Sequence, residues 1–163
     1  MKVQDIMTRD VKFCGPDTNL AEATEILWRN NCGTLPVLDS GRDLIGLVTD
    51  RDICIALGTR NCRASDLAVR EVAMKPVFTC GPNDDVHGAL KTMRQHQVRR
   101  VPVVGEDGKL AGILCLDEMV LHAEKATTAG ISYEDVVNTM KAICEHRAAE
   151  APKPATMAAA AAL

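Results

Sequence analysis

Two stretches of the chain share one succession of apolar runs and polar breaks. Each opens with a short apolar run, which is Val11–Cys14 in the first stretch, and Gly-Pro stops the run. Apolar residues at helical spacing follow, over about Leu20–Asn30 and then Val86–His96. The residues expected to face inward are Leu20, Ala23 and Leu27, and in the second stretch Val86, Ala89, Leu90 and Met93.

Two apolar runs with the length of strands come next, and a turn-rich break joins them. They are TLPVL and LIGLVT in the first stretch, joined by DSGRD, and RVPVV and KLAGILC in the second, joined by GEDGK. A second helix closes each stretch, as DRDICIAL or LDEMVLHA. The predicted order is strand, helix, strand, strand, helix, which indicates an α/β (α+β) fold.

The two stretches form an internal repeat with an offset of 66 residues. No gap is needed from Val3 through Leu57, and ten of the 55 aligned pairs are identical, including the run CGP. A single β-α-β-β-α unit exposes one face of its sheet, which a second unit can bury. We therefore expect two repeats packed with pseudo-twofold symmetry, over residues 1–60 and 61–126, with a polar linker at Gly58–Asp66.

Residues 127–148 are expected to add a helix after the repeats. Ser132 is a good N-cap, and Asp135 stands at the third helical position. An apolar stripe follows from Val136, Val137, Met140, Ile143 and Cys144. The stripe is suited either to docking on the parent domain or to a dimer contact. The Ala-rich tail, residues 149–163, is expected to be disordered.

Composition narrows the classes of function. The net charge is -3 and aromatic residues make up 2%, which argues against a nucleic-acid partner. The seven cysteines are odd in number and form no CxxC, which favours reduced thiols in a cytoplasmic protein. The N-terminus lacks a signal-peptide pattern, and no apolar run is long enough to span a membrane.

The stretch GLVTDRD, Gly46 to Asp52, lies where a predicted strand ends and a helix begins. One interpretation is structural: Thr49 caps the helix, and Asp52 reaches back as in a capping box. The other uses the same atoms for binding, because a helix N-terminus suits a phosphate and a carboxylate can accept both hydroxyls of a ribose. Both roles can coexist at one helix start.

The chain resembles a tandem pair of CBS domains, named after cystathionine β-synthase and often called a Bateman module. The resemblance is carried by VQDIMTRDV, PDTNLAEAT, GTLPVLD, LIGLVTDRDI, HQVRRVPVV and LAGIL, over roughly Lys2 to Ala123. Such pairs bind adenosine-containing ligands in clefts between the repeats and report metabolite state to another domain. Nothing outside the repeats is long enough to be a catalytic domain, so a stand-alone regulatory module is expected.

The resemblance also implies residue roles. Thr49 is expected to contact phosphate and Asp52 to hold ribose, with Asp50 and Arg51 between them. An apolar slot for adenine is expected from the start of the first strand and from the strand with the Pro turn. These residues are Thr8, Arg9 and Val11, together with Thr34, Leu35 and Pro36, and their alternative role is plain core and turn.

The second repeat keeps the frame of the motif but changes its polar atoms. It reads GILCLDE, with Cys115 in place of Thr49 and Glu118 in place of Asp52. A thiol is a weak donor and a poor cap. A possible second site comprises Arg99, Arg100, Pro102, Cys115 and Glu118, and the arginines either grip a phosphate or form a solvated surface pair. The first cleft is thus expected to hold a nucleotide, and the second to have drifted or to hold another anion.

The function expected from these observations is a non-enzymatic sensor of an adenine nucleotide of the AMP, ADP or ATP class. No cofactor and no metal are required, since the histidines have no metal-ligand spacing and no Gly-rich phosphate loop or nucleophile elbow occurs. A homodimer joined through the second helices and an effector protein are the expected partners. The alternatives are an adaptor with vestigial clefts and a sensor of S-adenosylmethionine or NAD(H).

Overall fold

The computed structural model describes residues 1–73, 76–125 and 130–145. Each repeat has a helix, two strands and a second helix, in the order that the pattern of apolar and polar residues predicts. The predicted further helix follows the repeats. The main elements are α1 (Leu20–Arg29), β1 (Thr34–Leu38), β2 (Leu44–Thr49), α2 (Asp50–Arg60), α3 (Val86–His96), β3 (Arg100–Val104), β4 (Leu110–Cys115), α4 (Leu116–Leu121), β5 (Ala123–Glu124), β6 (Ile131–Ser132) and α5 (Tyr133–Cys144). The predicted mixed fold of helices and strands is confirmed.

Each repeat contains one antiparallel hairpin, and the two hairpins share the same register. Thr34 lies opposite Thr49 in the first, and Arg100 lies opposite Cys115 in the second. The register shifts at Val37/Leu38 and again at the equivalent pair of the second hairpin. The internal repeat therefore extends to the details of strand pairing.

The prediction of a short strand at Val11–Cys14 is wrong. Only Cys14 pairs with the sheet, through a single parallel bridge to Val37. The N–H of Val11 instead donates to the carbonyl of Arg9, so the backbone turns locally before it reaches the sheet. The apolar residues of this run signalled contact with the hairpin, but they do not form a ladder.

The boundaries of the helices lie close to the predicted ones. Asn19 caps α1 by accepting from the N–H of Glu22, and the residues expected to face inward in α1 and α3 are buried. Helix α2 continues to Arg60, so the predicted linker starts within it. Helix α4 is shorter than predicted and ends at Leu121.

The hydrophobic core of each repeat includes residues from a segment that belongs in sequence to the other repeat. Val3, Ile6 and Met7 belong to the core of the second repeat, although they stand at the start of the first. Leu67 and Val69 belong in the same way to the core of the first repeat. Each hydrophobic core is therefore closed by a segment that is in sequence part of the other repeat, which a division by sequence at residues 60 and 61 does not convey.

Helix α5 docks on the second repeat. Ser132 caps the helix as predicted and forms a capping box with Asp135, while Val136 and Ile143 pack on the core. Val137 and Cys144, however, are exposed, so only one edge of the predicted stripe is buried. The reason is that α5 packs mainly on α3, which covers one edge of a wide apolar stripe and leaves the other edge exposed. The predicted disordered tail lies outside the described residues.

The crossing can be tested at two identical, fully buried positions. Val3→Ala should lower the free energy of unfolding by about 1.5–2 kcal/mol, because two buried methyl groups are lost. Amide hydrogen exchange should accelerate in α3 and β4 more than in α1.

Val69→Ala is the matched variant and should accelerate exchange in α1 and β2. The crossing would be contradicted if each variant loosened the repeat that contains it in sequence.

Candidate functional site

Thr49 and Asp52 form a complete capping box at the start of α2. Oδ2 of Asp52 accepts from the N–H of Thr49 at 3.0 Å and from its hydroxyl at 2.6 Å. The Thr49 hydroxyl oxygen in turn accepts from the N–H of Asp52 at 3.1 Å. Within the described residues no hydrogen bond reaches Oδ1 of Asp52, so this oxygen keeps its capacity as an acceptor. The structural interpretation of the motif is confirmed, and it leaves an atom for binding.

The strand opposite the motif contributes mainly core. Thr34 is buried, and its hydroxyl donates to the carbonyl of Val48 at 3.1 Å. Leu35 is fully buried, and the carbonyl of Pro36 accepts from the N–H of Cys14. The side chains predicted to line an adenine slot here are therefore already engaged in packing.

Thr8 lies on the second repeat, and it was grouped wrongly with the first motif. It exchanges two backbone hydrogen bonds with Ile113, and its hydroxyl donates to Oε1 of Glu118 at 2.7 Å. Arg9 and Val11 line a small cavity of about 120 Å³ together with residues of β4. The crossing of the N-terminal segment explains this placement, because it carries residues 1–8 onto the other repeat.

Glu118 bonds to two parts of the chain, which are the start of α4 and the N-terminal segment. The bonds of Asp52 lie within its own capping box. Its Oε2 accepts from the N–H of Cys115 at 2.9 Å, which keeps half of the capping box without a hydroxyl. Its Oε1 accepts the bond from Thr8, so both carboxylate oxygens are engaged. The longer side chain of Glu spans from the helix start to the N-terminal segment.

The hydroxyl group that donates to the carboxylate comes from a different position in each repeat, and the aligned sequences of the two repeats show this difference. Thr49 corresponds to Cys115, and Thr8 corresponds to Met74 at the same offset of 66 residues. Each repeat therefore has one hydroxyl for its carboxylate, supplied by the cap for Asp52 and by the crossing segment for Glu118. The opposite placement of the two threonines was the signal available from sequence.

Arg100 extends from the second repeat to the first motif. A Cβ atom added to Gly33 would lie 2.9 Å from Nη2 of Arg100 and 3.3 Å from Oδ2 of Asp50. The guanidinium therefore lies close to the N-terminal end of α2. Arg99 is exposed and is held by its backbone, whose carbonyl accepts from the N–H of Leu116. The predicted pair of arginines is thus divided, with Arg100 next to the first motif.

A narrow apolar cleft lies beside β2 on the same side. Sequence reasoning missed most of its lining, which is Leu47, Pro76, Val77, Phe78, Val98 and Arg100. The segment at 76–78 is the counterpart of residues 10–12, so the offset between repeats predicts it once the crossing is known. Leu47, on the strand that leads into the first motif, therefore has apolar neighbours from the second repeat.

The raised pKa of Cys115 is a further difference between the two motifs. Burial raises the pKa of the Cys115 thiol to about 12, and the charge of Glu118 adds to the increase. Cys115 is therefore a neutral thiol at physiological pH. The pKa values of Cys14 and Cys80 rise to about 11, again because of burial.

Some chemistries find no support in the part of the chain that the structure describes. No group of three or more His, Cys, Asp or Glu side chains is arranged to hold a metal ion there. Among the same residues, no helix combines the length and the apolar character that crossing a bilayer demands. The polar atoms that converge are those around Asp52 and Glu118.

Relatives of the chain have the same tandem arrangement. CBS domain-containing protein YhcV of Bacillus subtilis is 31% identical over 134 residues, which cover 82% of this chain and 94% of YhcV. The crystal structure of Hypoxic Response Protein I with two coordinated zinc ions has a TM-score of 0.69 at 29% identity, and the match covers 76% of this chain and all of that one.

A third similar structure contains ligands. It is the CBS domain pair of protein MJ0100 in complex with 5'-methylthioadenosine and S-adenosyl-L-methionine, with a TM-score of 0.68 over 74% of this chain and 94% of that one. At 24% identity, this likeness shows the fold alone. The CBS domain pattern itself matches residues 3–59 and 69–124, once in each repeat. The chain therefore belongs to the CBS domain family, as a tandem pair.

Proposed function

We propose that this protein is a non-enzymatic regulatory module that binds an adenine nucleotide at the Thr49–Asp52 motif. The observation that carries the proposal is the combination at the start of α2 of a capped helix, an open carboxylate oxygen and a guanidinium from the other repeat. These groups match the parts of a nucleotide that follow its base.

The phosphate would lie at the N-terminal end of α2. Backbone N–H groups and the positive end of the helix dipole favour an anion there. Arg100 adds a fixed positive charge and can donate two parallel hydrogen bonds to phosphate oxygens. Asp50 lies on the same side of Gly33, so its negative charge opposes a highly charged phosphate chain. This balance favours one or two phosphates over three.

The ribose would bind to Asp52. Its Oδ1 accepts no hydrogen bond from the described residues, while Oδ2 is held by Thr49, so the carboxylate is fixed in place with one oxygen available. Glu118 has both oxygens engaged, one of them by Thr8. Binding a ribose at Glu118 therefore requires the loss of a hydrogen bond that Asp52 does not have to break, which supports unequal affinities of the two clefts.

S-adenosylmethionine is the second candidate ligand. It is supported by the structural likeness to a CBS domain pair that contains this compound together with 5'-methylthioadenosine. Both share adenosine with the nucleotides but lack phosphate, so they would use Asp52 and the apolar cleft without Arg100. An adaptor with vestigial clefts, or a sensor of NAD(H), remains the alternative outside these two ligand classes.

The regulatory role rests on what accompanies the binding site. The match to YhcV covers 82% of this chain and 94% of YhcV, so little of YhcV lies outside the matched pair. We propose that the protein is cytoplasmic, that it acts on an effector protein and that it is a homodimer. The dimer is supported by apolar side chains left exposed on the second helices, at Ile55 of α2 and at Val120 and Leu121 of α4.

Substitutions at the two carboxylates test the site. Asp52→Ala should weaken binding of AMP or ADP about tenfold or more, because a hydrogen bond to a charged group contributes about 1.5–3 kcal/mol. Glu118→Ala should change the affinity by less than about threefold, since its oxygens already serve Cys115 and Thr8. Isothermal titration calorimetry measures both.

Two controls separate binding from folding in this experiment. Lys91→Ala changes an exposed residue of α3 that belongs to neither motif, and it should leave the affinity unchanged. Asp52→Asn retains an acceptor oxygen but removes the charge, and it should bind with intermediate affinity. Equal losses from Asp52→Ala and Glu118→Ala would contradict the assignment of the first motif as the main site.

Arg100→Ala distinguishes the two ligand classes. If nucleotides are bound, this variant should lower the affinity for ADP about tenfold and leave that for S-adenosylmethionine nearly unchanged, because only ADP has a phosphate. Thermal shift with AMP, ADP, ATP, NADH and S-adenosylmethionine selects the ligand first, since 100 times the dissociation constant stabilises the fold by about 2.7 kcal/mol. Absence of any shift in this series would favour the adaptor.

A regulatory module of this kind needs no redox chemistry at Cys115. Alkylation tests whether this thiol is reactive. At pH 8 a thiol with a pKa of about 12 is ionised in roughly one molecule in ten thousand. Iodoacetamide should therefore label the exposed Cys54 and Cys144 well before Cys115, as measured by mass spectrometry of peptides. Labelling of Cys115 as fast as Cys54 would instead indicate a reactive thiol at the second motif.

A further inference from the structure

Two cavities of the molecule are lined by equivalent positions of the two repeats, but they differ in volume. The first cavity measures about 480 Å³ and the second about 120 Å³. Six lining positions correspond at the offset of 66 residues. In the first cavity they are Asp43, Leu44, Val77, Thr79, Val104 and Gly108, and the second cavity has the counterpart of each.

The first cavity continues the apolar cleft beside β2, since Pro76 and Val77 line both. Its volume lies within the range of about 300–1,000 Å³ that is usual for pockets of small-molecule ligands, whereas the second cavity falls below that range. The second cavity lies along β4, the strand that leads to Cys115 and Glu118. Each motif therefore has a cavity on its own strand, and the larger one belongs to the first motif.

The β1–β2 and β3–β4 turns meet where the two cavities adjoin. Asp43 lines the first cavity and Lys109 the second, and the two residues occupy equivalent positions. They pair with each other through an antiparallel bridge and an ion pair of 2.7 Å between Nζ and Oδ1. Contact between equivalent residues is expected at an axis of twofold symmetry. Because the two hairpins also share one register, side chains rather than the backbone account for the difference in volume.

Phe13 and Arg42 occupy space that is open in the first cavity. Their counterparts there are Thr79 and Gly108, which are both much smaller. The guanidinium carbon of Arg42 lies 4.7 Å from the centroid of the Phe13 ring, which is within the range of a cation–π contact. Both residues also line a neighbouring cavity of about 550 Å³. The pair therefore forms a wall between that cavity and the second one.

The backbone of Arg42 supports a role for its side chain. Arg42 has a φ of 65°, and its counterpart Gly108 has a φ of 77°. This left-handed region is open to glycine but strained for a residue with a Cβ atom. Strained residues of this kind concentrate at functional sites. The contact with the Phe13 ring is what the arginine adds at a position where glycine would be less strained.

We propose that Phe13 and Arg42 close the second cavity to a nucleobase, and that they thereby restrict the protein to one nucleotide in each chain. The base is excluded at the start of β4, near Leu110, whereas Cys115 and Glu118 act on the ribose and the phosphate at its other end. The inference rests on the function proposed above for the identity of the ligand, and it names the residues that keep this ligand out of the second cleft.

The altered polar motif does not account for the small volume. The second cavity is lined on β4 by Leu110 and Gly112, whereas Cys115 stands at the end of the strand. Exchanging Cys115 and Glu118 for the residues of the first motif would restore its polar atoms and leave the wall in place. The two differences between the clefts can therefore be separated by substitution.

Thiol labelling tests the closure without any nucleotide. Leu44→Cys and Leu110→Cys place a thiol at equivalent positions of the first and second cavities. N-phenylmaleimide, whose rings make it comparable in size to a nucleobase, should label the first variant about tenfold faster than the second, as measured by mass spectrometry of peptides. Adding Phe13→Thr and Arg42→Gly to the Leu110→Cys variant should bring the two rates within about threefold of each other.

Calorimetry with ADP tests the consequence for the second cleft. Cys115→Thr combined with Glu118→Asp restores the polar motif of the second repeat, and this variant should still bind one ADP in each chain. Adding Phe13→Thr and Arg42→Gly to it should produce a second site in each chain, because the base then has room.

The converse exchange tests the first cleft. Thr79→Phe combined with Gly108→Arg should weaken ADP binding about tenfold or more, although Thr49 and Asp52 are unchanged. Among the described residues, no heavy atom lies within 4 Å of a Cβ atom added at Gly108, so the variant should fold. Circular dichroism and thermal unfolding check the fold of every variant.

Lys12→Ala is the control for charge in both experiments. Lys12 is exposed and adjoins Phe13 in the chain, so this variant loses one positive charge, as Arg42→Gly does. It should change neither the labelling rates nor the number of ADP sites.

The outcomes separate this inference from the proposed function. A parent protein that binds no ADP would contradict the nucleotide site, while the labelling rates would still decide whether the pair closes the cavity. Equal labelling of the two introduced thiols would overturn the closure. Two ADP sites in the parent chain, or a second site created by Cys115→Thr and Glu118→Asp alone, would overturn it as well. So would a chain that keeps one site after all four substitutions.

Discussion

The fold depends on one exchange of chain segments between its two halves. Residues 1–8 close the core of the second repeat, and Leu67 and Val69 close that of the first. Neither hairpin with its helices buries its apolar face without this contribution, because a single β-α-β-β-α unit leaves one side of its sheet uncovered. The exchange also shapes the second motif, since the segment that closes the core of the second repeat brings Thr8 to Glu118 at the start of α4.

The exchange also accounts for the altered polar atoms of the second motif. Glu118 is one methylene longer than Asp52, and it uses that length to accept from both Cys115 and Thr8. Thr49 serves Asp52 from within the cap, so no crossing hydroxyl is needed there. The substitution of Thr by Cys is therefore accompanied by a new donor from the other repeat, and the second cleft is rebuilt around an internal hydrogen bond.

Local patterns predicted the elements well, and they failed where contacts connect distant parts of the chain. Helical spacing and turn residues located α1, α3 and both hairpins almost to the residue, because these signals are local. Thr8 was assigned to the wrong cleft because its partner is 110 residues away and no spacing rule links them. The edge of the α5 stripe that faces the core was equally undetermined, since the stripe is wide and only packing on α3 selects one edge.

The crossing of segments has a consequence for how the two halves depend on each other. An isolated repeat would lack part of its core and would need a segment from another chain, so its folding would depend on protein concentration. Joining the repeats through residues 58–66 turns this exchange into an intramolecular event with a high effective concentration. The tandem arrangement thus makes each half the obligatory folding partner of the other, at any dilution.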